Sequence, residues 1–178
     1  IVEKGSPITT ILYQANLIIA KIEYQEKQLD KALDEFIALM NKATADERGA
    51  EANYYVGKIL FEQGKKTQAI NSLENLNVNF ASFEPWVGKS YLLISNIYID
   101  MNEEFQARST LESLVKYFPL PDIVKQAEEK LKKLDKQENL EVVEEEVVQF
   151  DMETGEIITE IKKDTINTNI QKGGTENE

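Results

Sequence analysis

The chain of 178 residues contains neither cysteine nor histidine. Without cysteine it has no disulfides and no thiolate metal sites. Without histidine it lacks the commonest general base and the commonest zinc ligand. It also has no glycine-rich phosphate loop, no serine-nucleophile signature and no metal-ligand spacing. The paired carboxylates Glu103–Glu104 and Glu128–Glu129 are adjacent, so on a helix they point about 100° apart and do not converge on one substrate atom. The sequence therefore predicts no enzyme, no cofactor and no metal.

Positive charge and long apolar runs are also scarce. Thirty-two acidic residues against 20 basic ones give a net charge of −12, which argues against a nucleic-acid partner because phosphate binding requires a basic face. The longest apolar runs, such as 17–20, fall far short of the roughly 20 residues that span a bilayer. We therefore predict no direct membrane insertion. The start at Ile1 has no initiator methionine and no signal-peptide pattern, so we expect a piece of a longer protein.

The charge is unevenly distributed along the chain. Residues 1–137 carry a net charge of −3, whereas residues 138–178 carry −9 and contain a single aromatic residue, Phe150. This change in composition predicts a folded domain over 1–137 and an acidic tail over 138–178.

Three alanines, spaced 37 and 38 residues apart, mark equivalent positions of an internal repeat. Each alanine is followed after four residues by a large apolar residue and after three more by a leucine. Each is preceded by a small residue twelve positions earlier. These columns are Ala32, Ala69 and Ala107; Phe36, Leu73 and Leu111; Leu39, Leu76 and Leu114; and Ala20, Gly57 and Ser95.

The spacing of three and four residues predicts a helical hairpin for each copy, in which the small residues let the two helices approach closely. Gly64 and Asn102 are residue types that tolerate the left-handed conformation ending a helix. Ser6–Pro7 and Ser82–Pro85 place a capping hydroxyl and a first-turn proline before apolar periodicity. The predicted helices cover 7–26, 28–43, 46–63, 65–79, 84–101, 103–117 and 121–136, and the predicted fold class is all-α.

These columns resemble the tetratricopeptide repeat, with copies at about 13–46, 50–83 and 88–119 and a closing proline at Pro119. The resemblance implies an α-solenoid of three hairpins, and we predict that the helix over 121–136 caps it. The sequence departs from the family pattern at Asn16 and Asn53, where a large aromatic is usual, at Glu23, where tyrosine or leucine is common, and at Thr44 and Ala81, which replace closing prolines.

In that family the first helix of each hairpin lines a concave groove that binds a protein or peptide. The matching positions here are Gln14, Leu17, Lys21 and Tyr24; Glu51, Tyr54, Lys58 and Phe61; and Lys89, Leu92, Asn96 and Ile99. Lysines beside aromatic rings would suit an extended or helical peptide that carries an acidic group. Alternatively, the lysines form a solvated face and the aromatics pack between repeats.

The resemblance implies a non-catalytic scaffold for a protein or peptide partner. The chain is also similar to the C-terminal repeats of large tetratricopeptide proteins of Bacteroidota, which favours the periplasm or cell envelope and leaves the cytoplasm possible. The alternative function is purely structural, as the terminal cap of a longer solenoid with no ligand groove of its own.

The tail allows two interpretations. Its β-prone runs around Thr154–Gly155 are typical of a hairpin, whereas its charge favours disorder, above all beyond Thr165.

Overall fold

A computed structural model describes the backbone of residues 6–141, 147–150 and 157–160 and the side chains of residues 6–136. The described part contains seven helices, which confirms the predicted all-α repeat. They are α1 (Pro7–Gln25), α2 (Leu29–Lys42), α3 (Glu47–Glu62), α4 (Lys66–Asn79), α5 (Glu84–Asp100), α6 (Glu104–Tyr117) and α7 (Pro121–Glu141). Six helices end within a residue of their predicted limits. Helix α7 continues to Glu141 instead of ending at Lys136.

The helix starts follow the predicted chemistry with one exception. The Ser6 hydroxyl accepts a hydrogen bond from the Thr9 amide at 3.2 Å, with Pro7 in the first turn of α1. Ser82 does not cap α5. Phe83 holds the N-cap position without a side-chain hydrogen bond, and the helix begins at Glu84.

The three turns inside the hairpins share one backbone conformation. Gly64 has a φ of 75° and Asn102 a φ of 58°, as their residue types predicted, and Lys27 occupies the same column with a φ of 63°. A left-handed residue at this point lets the chain reverse at once into the second helix.

The repeat columns form the core. Each first helix packs on the second helix of its own hairpin, and α2 and α4 pack on the first helix of the next hairpin. In one cluster, Phe36 and Leu39 of α2 contact apolar residues of α3. The packing of α3 on α4 requires Gly57, because a Cβ atom there would lie 2.6 Å from the Leu73 side chain.

Two departures from the family pattern have visible compensation. Asn53 is fully buried, and its amide lies within hydrogen-bonding distance of Ser72 and Asn75 on α4. Glu23 is also buried, and its carboxylate pairs with the Lys31 ammonium at 2.7 Å. Polar side chains thus replace apolar ones at these two positions, and each has a partner, although the second carboxylate oxygen of Glu23 is buried without a hydrogen bond among the described residues.

The first turns of α7 cover the end of the third hairpin. Ile123 is buried, and a Cβ atom at Gly88 would lie 2.7 Å from its side chain. Glycine at this position in α5 therefore allows the close approach of α7.

The chain divides into two compact units, Ile1–Lys132 and Lys133–Glu178. In the second unit, β1 (Val147–Phe150) pairs with β2 (Ile157–Glu160) in antiparallel register, with Val147 opposite Glu160. This pair corresponds to the hairpin interpretation of the tail. The Thr154–Gly155 turn and the segment beyond Thr165 lie outside the described residues, and the predicted domain boundary at 137 stays a prediction.

Candidate functional site

The first helices of the hairpins lie side by side and form what we call the inner face. Helix α1 packs on α3, and α3 packs on α5. The second helices are further apart, since a cavity of about 580 Å³ opens between α2 and α4.

The twelve predicted groove residues recur at helical spacing along these three helices, but they are not equally accessible. Leu17 and Leu92 are buried, at 3% and 5% exposure. Phe61 and Ile99 are half-buried, and Phe61 packs against the core cluster around Ile97. The polar and tyrosine positions therefore provide most of the accessible side-chain surface.

Between α1 and α3, two lysines lie among tyrosine rings. The Lys21 ammonium pairs with the Glu51 carboxylate at 2.8 Å. The Lys58 ammonium lies 5.1 Å from the centre of the Tyr24 ring and 5.8 Å from that of Tyr55. Lysine ammonium groups at these distances are attracted to the ring faces.

The two lysines differ in their charge partners. Lys21 is neutralised, and its hydrogen bond to Glu51 raises its pKa above the ordinary value despite partial burial. Within residues 6–136, Lys58 forms no ion pair, although it is half-buried. Lys58 is therefore the cation of this pair that can still accept a carboxylate.

The tyrosines of the inner face are fixed by neighbours. Burial, and then the hydrogen bond that its hydroxyl donates to Glu62, raise the pKa of Tyr24. Its ring meets the Tyr55 ring edge-on at 5.5 Å, and Tyr55 stacks on Phe36 at 4.8 Å. The tyrosine rings therefore pack between repeats, as one interpretation predicted. They also lie next to the ammonium groups of Lys21 and Lys58.

A second cationic position lies between α3 and α5. The Lys89 ammonium is 3.9 Å from the centre of the Trp86 ring, and the Trp86 ring lies 5.6 Å from that of Tyr54. The Trp86 indole donates to the Glu47 carboxylate at 3.3 Å. Lys89 is exposed and forms no ion pair in the part of the chain whose side chains are described. Burial raises the pKa of Tyr54.

The remaining polar positions are occupied by neighbours in the fold. Asn96 accepts a hydrogen bond from Lys130 of α7. Gln14 accepts one from Arg48 at 3.1 Å, and Arg48 also pairs with the N-cap residue Asp46. One sequence column holds Lys21, Lys58 and Asn96. Lys21 and Asn96 have hydrogen-bonded partners, whereas the Lys58 ammonium has none among the described residues.

Tyr55 and Trp86 belong to this site but were absent from the predicted set. The prediction followed the family's groove positions, and these two side chains lie beside those positions, against the neighbouring first helix. The signal that could have found them is their aromatic type next to the predicted Tyr54 and Lys89. Their columns hold Ile18 and Ile11 in the first copy, so the repeat pattern alone does not mark them.

The described residues form no cluster of acidic side chains suited to a metal ion. No helix in the described part of the chain is long and apolar enough to cross a bilayer. A further cavity, of about 410 Å³, lies between α5 and α6 and is lined by Tyr91, Ser113 and Tyr117 among others.

Residues 51–81 and 89–120 match the tetratricopeptide repeat family model, and these spans are the second and third hairpins. No curated protein matches the chain. The chain therefore contains tetratricopeptide repeats, a type of scaffold for protein–protein interaction whose members are in general not catalysts.

Proposed function

We propose that the protein is a non-catalytic interaction module that binds an acidic peptide segment of a protein partner along its inner face. In this proposal, Lys58 and Lys89 pair with carboxylates of the peptide. The rings of Tyr24, Tyr54 and Trp86 contact its apolar side chains. In this proposal the module is part of a larger bacterial envelope or assembly protein, as the sequence predicts.

One observation carries the proposal: Lys58 is a half-buried lysine with no ion pair in the described part of the chain. A cation is stabilised when a counter-charge lies beside it, and no described residue supplies one to Lys58. Its two tyrosine neighbours stabilise it only modestly. A bound carboxylate would supply a charge-assisted hydrogen bond, which is about twice as strong as a neutral one.

The rings beside the lysines support a peptide rather than a free acid. Tyr54 and Trp86 contact each other, and both are half-buried. Tyrosine and tryptophan are enriched at interfaces because they offer large contact areas with few rotatable bonds. An apolar side chain of the peptide would cover the exposed part of these rings.

The test is selection of binding sequences from a random peptide library displayed on phage, with the full chain as target. We expect selected peptides to be rich in aspartate and glutamate next to apolar residues. Lys58→Glu should weaken the best peptide by about 10- to 100-fold, the effect of losing one charge-assisted hydrogen bond. Lys125→Glu is the matched control, because Lys125 is exposed on α7, and it should leave the affinity unchanged. Selection of neutral or basic peptides, or equal binding by both variants, would refute the proposal.

The second candidate is the terminal cap of a longer solenoid with no groove of its own. The packing of Ile123 against Gly88 favours it, as do exposed polar residues on the other side of α7, among them Lys125 and Glu129. Terminal repeats need such a polar outer face. A pure cap yields no peptide in the selection above that depends on Lys58.

A further inference from the structure

Helix α1 carries an apolar stripe that no described residue covers. The stripe consists of six aliphatic side chains on one face of the helix, each 47% to 70% exposed: Ile8, Ile11, Leu12, Ile18, Ile19 and Ile22. Within α1 the only charged residues are Lys21 and Glu23, and both are paired elsewhere. Contiguous exposed apolar surface with little charge is characteristic of an interaction site.

The repeat itself indicates what this surface is built to contact. Ile18, Ile19 and Ile22 stand in the columns that hold Tyr55, Val56 and Ile59 in α3 and Leu93, Ile94 and Ile97 in α5. The two isoleucines Ile19 and Ile22 are about half exposed. Their four counterparts in α3 and α5 are at most 4% exposed.

In both later copies, the second helix of the preceding hairpin covers these columns. Val56 and Ile59 share a cluster with Phe36 and Leu39 of α2. Ile94 and Ile97 share one with Leu73 of α4. The stripe columns therefore pack against the same columns of the second helix in each case. These are the columns of Ala32 and Ala69 and of Phe36 and Leu73, and α2 adds Leu39.

We propose that the stripe on α1 docks the second helix of a further hairpin of this same repeat type, supplied by polypeptide on the N-terminal side of α1. The docking would continue the α2–α3 and α4–α5 interfaces by one more step. A second copy stacked end to end suits the stripe less well, because α7 presents exposed charged residues such as Lys125, Glu128 and Glu129 at the other end. The inference does not depend on the peptide groove.

The test adds one hairpin to the full chain in the correct register. Thr9 occupies the column of Glu84, the first residue of α5, so a duplicate of residues 46–83 replacing residues 1–8 places a second α4 before α1 as the first lies before α5. The replacement puts Phe83 at the position of Ile8 and leaves the other five stripe residues unchanged. Because the stability of stacked repeats includes their interfaces, we expect the added residues to be helical by circular dichroism. The melting temperature should rise by several degrees, and the α1 amides should exchange hydrogen more slowly.

The controls separate docking from a general effect of the added residues. In the extended chain, Ile18→Glu with Ile22→Glu should abolish the rise, whereas Phe105→Glu, at an apolar side chain that is 81% exposed on α6, should preserve it. In the unextended chain the double substitution should change the melting temperature little, because both side chains are exposed.

Three results would overturn the proposal. The first is an extension that adds no helix or no rise in melting temperature. The second is a rise that survives Ile18→Glu with Ile22→Glu. The third is a dimer of the unextended chain in sedimentation velocity that this double substitution dissociates, which would make a second copy the occupant.

Discussion

At the scale of single residues, the turn inside each hairpin depends on one left-handed residue. Glycine at Gly64 adopts this conformation without steric cost, and asparagine at Asn102 tolerates it. Lys27 has the same positive φ with a full side chain. The first hairpin therefore carries a backbone strain that the second avoids.

Replacing Lys27 with glycine should stabilise the protein. Relief of the left-handed strain is worth about 1–2 kcal/mol, and the greater flexibility of unfolded glycine offsets part of it, so we expect a gain of about 0.5–1 kcal/mol. Urea unfolding measures the change. The reciprocal variant Gly64→Lys should lose a similar amount. A Lys27→Gly variant less stable than the parent would show that the lysine contact with the Tyr24 ring outweighs the strain.

The tyrosines of the inner face make the free energy of unfolding fall at alkaline pH. The pKa values of Tyr24 and Tyr54 lie above the ordinary 10.0, and that of Lys21 above 10.5. The folded state therefore holds these protons more tightly than the unfolded chain. The resulting stabilisation is complete below about pH 10 and is lost as the pH rises through the folded-state values.

Comparison of melting temperatures at about pH 8.5 and about pH 11 tests this linkage. The parent should lose more stability over this interval than Tyr24→Phe, which has no phenol to ionise. Tyr13→Phe is the control, because the Tyr13 hydroxyl donates to the Lys42 backbone carbonyl and not to a carboxylate. Equal losses by the parent and Tyr24→Phe would contradict the shift.

At the scale of helices, the sequence was most informative where packing repeats. The columns of Ala69, Leu73 and Leu76 predicted both the hairpins and their core, since all three are fully buried. Helix ends were predicted within a residue wherever a turn or proline marks them. The end of α7 was not, because no glycine or proline follows Lys136 to stop the helix before Glu141.

The register of the hairpins can be tested at Gly57. A leucine there must displace the buried Leu73 side chain, so Gly57→Leu should cost about 1–3 kcal/mol or more. Lys65→Leu adds a similar side chain at an exposed position and should cost little. Chemical denaturation of both variants measures the difference. Equal stability of the two would mean that Gly57 does not face Leu73.

At the scale of the whole molecule, the sequence predicted which helices line the inner face but not which side chains remain available there. Lys21 and Lys58 share one column, yet Glu51 neutralises only the first. Asn96 was predicted as a groove donor, yet it accepts a hydrogen bond from α7. Such pairings join residues 30 or more positions apart, so they depend on how neighbouring repeats stack and cannot be derived from the column pattern.

The central claim is that an acidic peptide binds beside Lys58 and Lys89, and the chain carries its own probe of that site. Trp86 is the only tryptophan, and it lies under the Lys89 ammonium and against the Tyr54 ring. The decisive measurement is a titration of tryptophan fluorescence with the best selected acidic peptide. We predict a saturable change in emission with the dissociation constant found by peptide anisotropy, weakened by about 10- to 100-fold in Lys58→Glu. Tight binding of the peptide with unchanged Trp86 emission and no effect of Lys58→Glu would contradict the account.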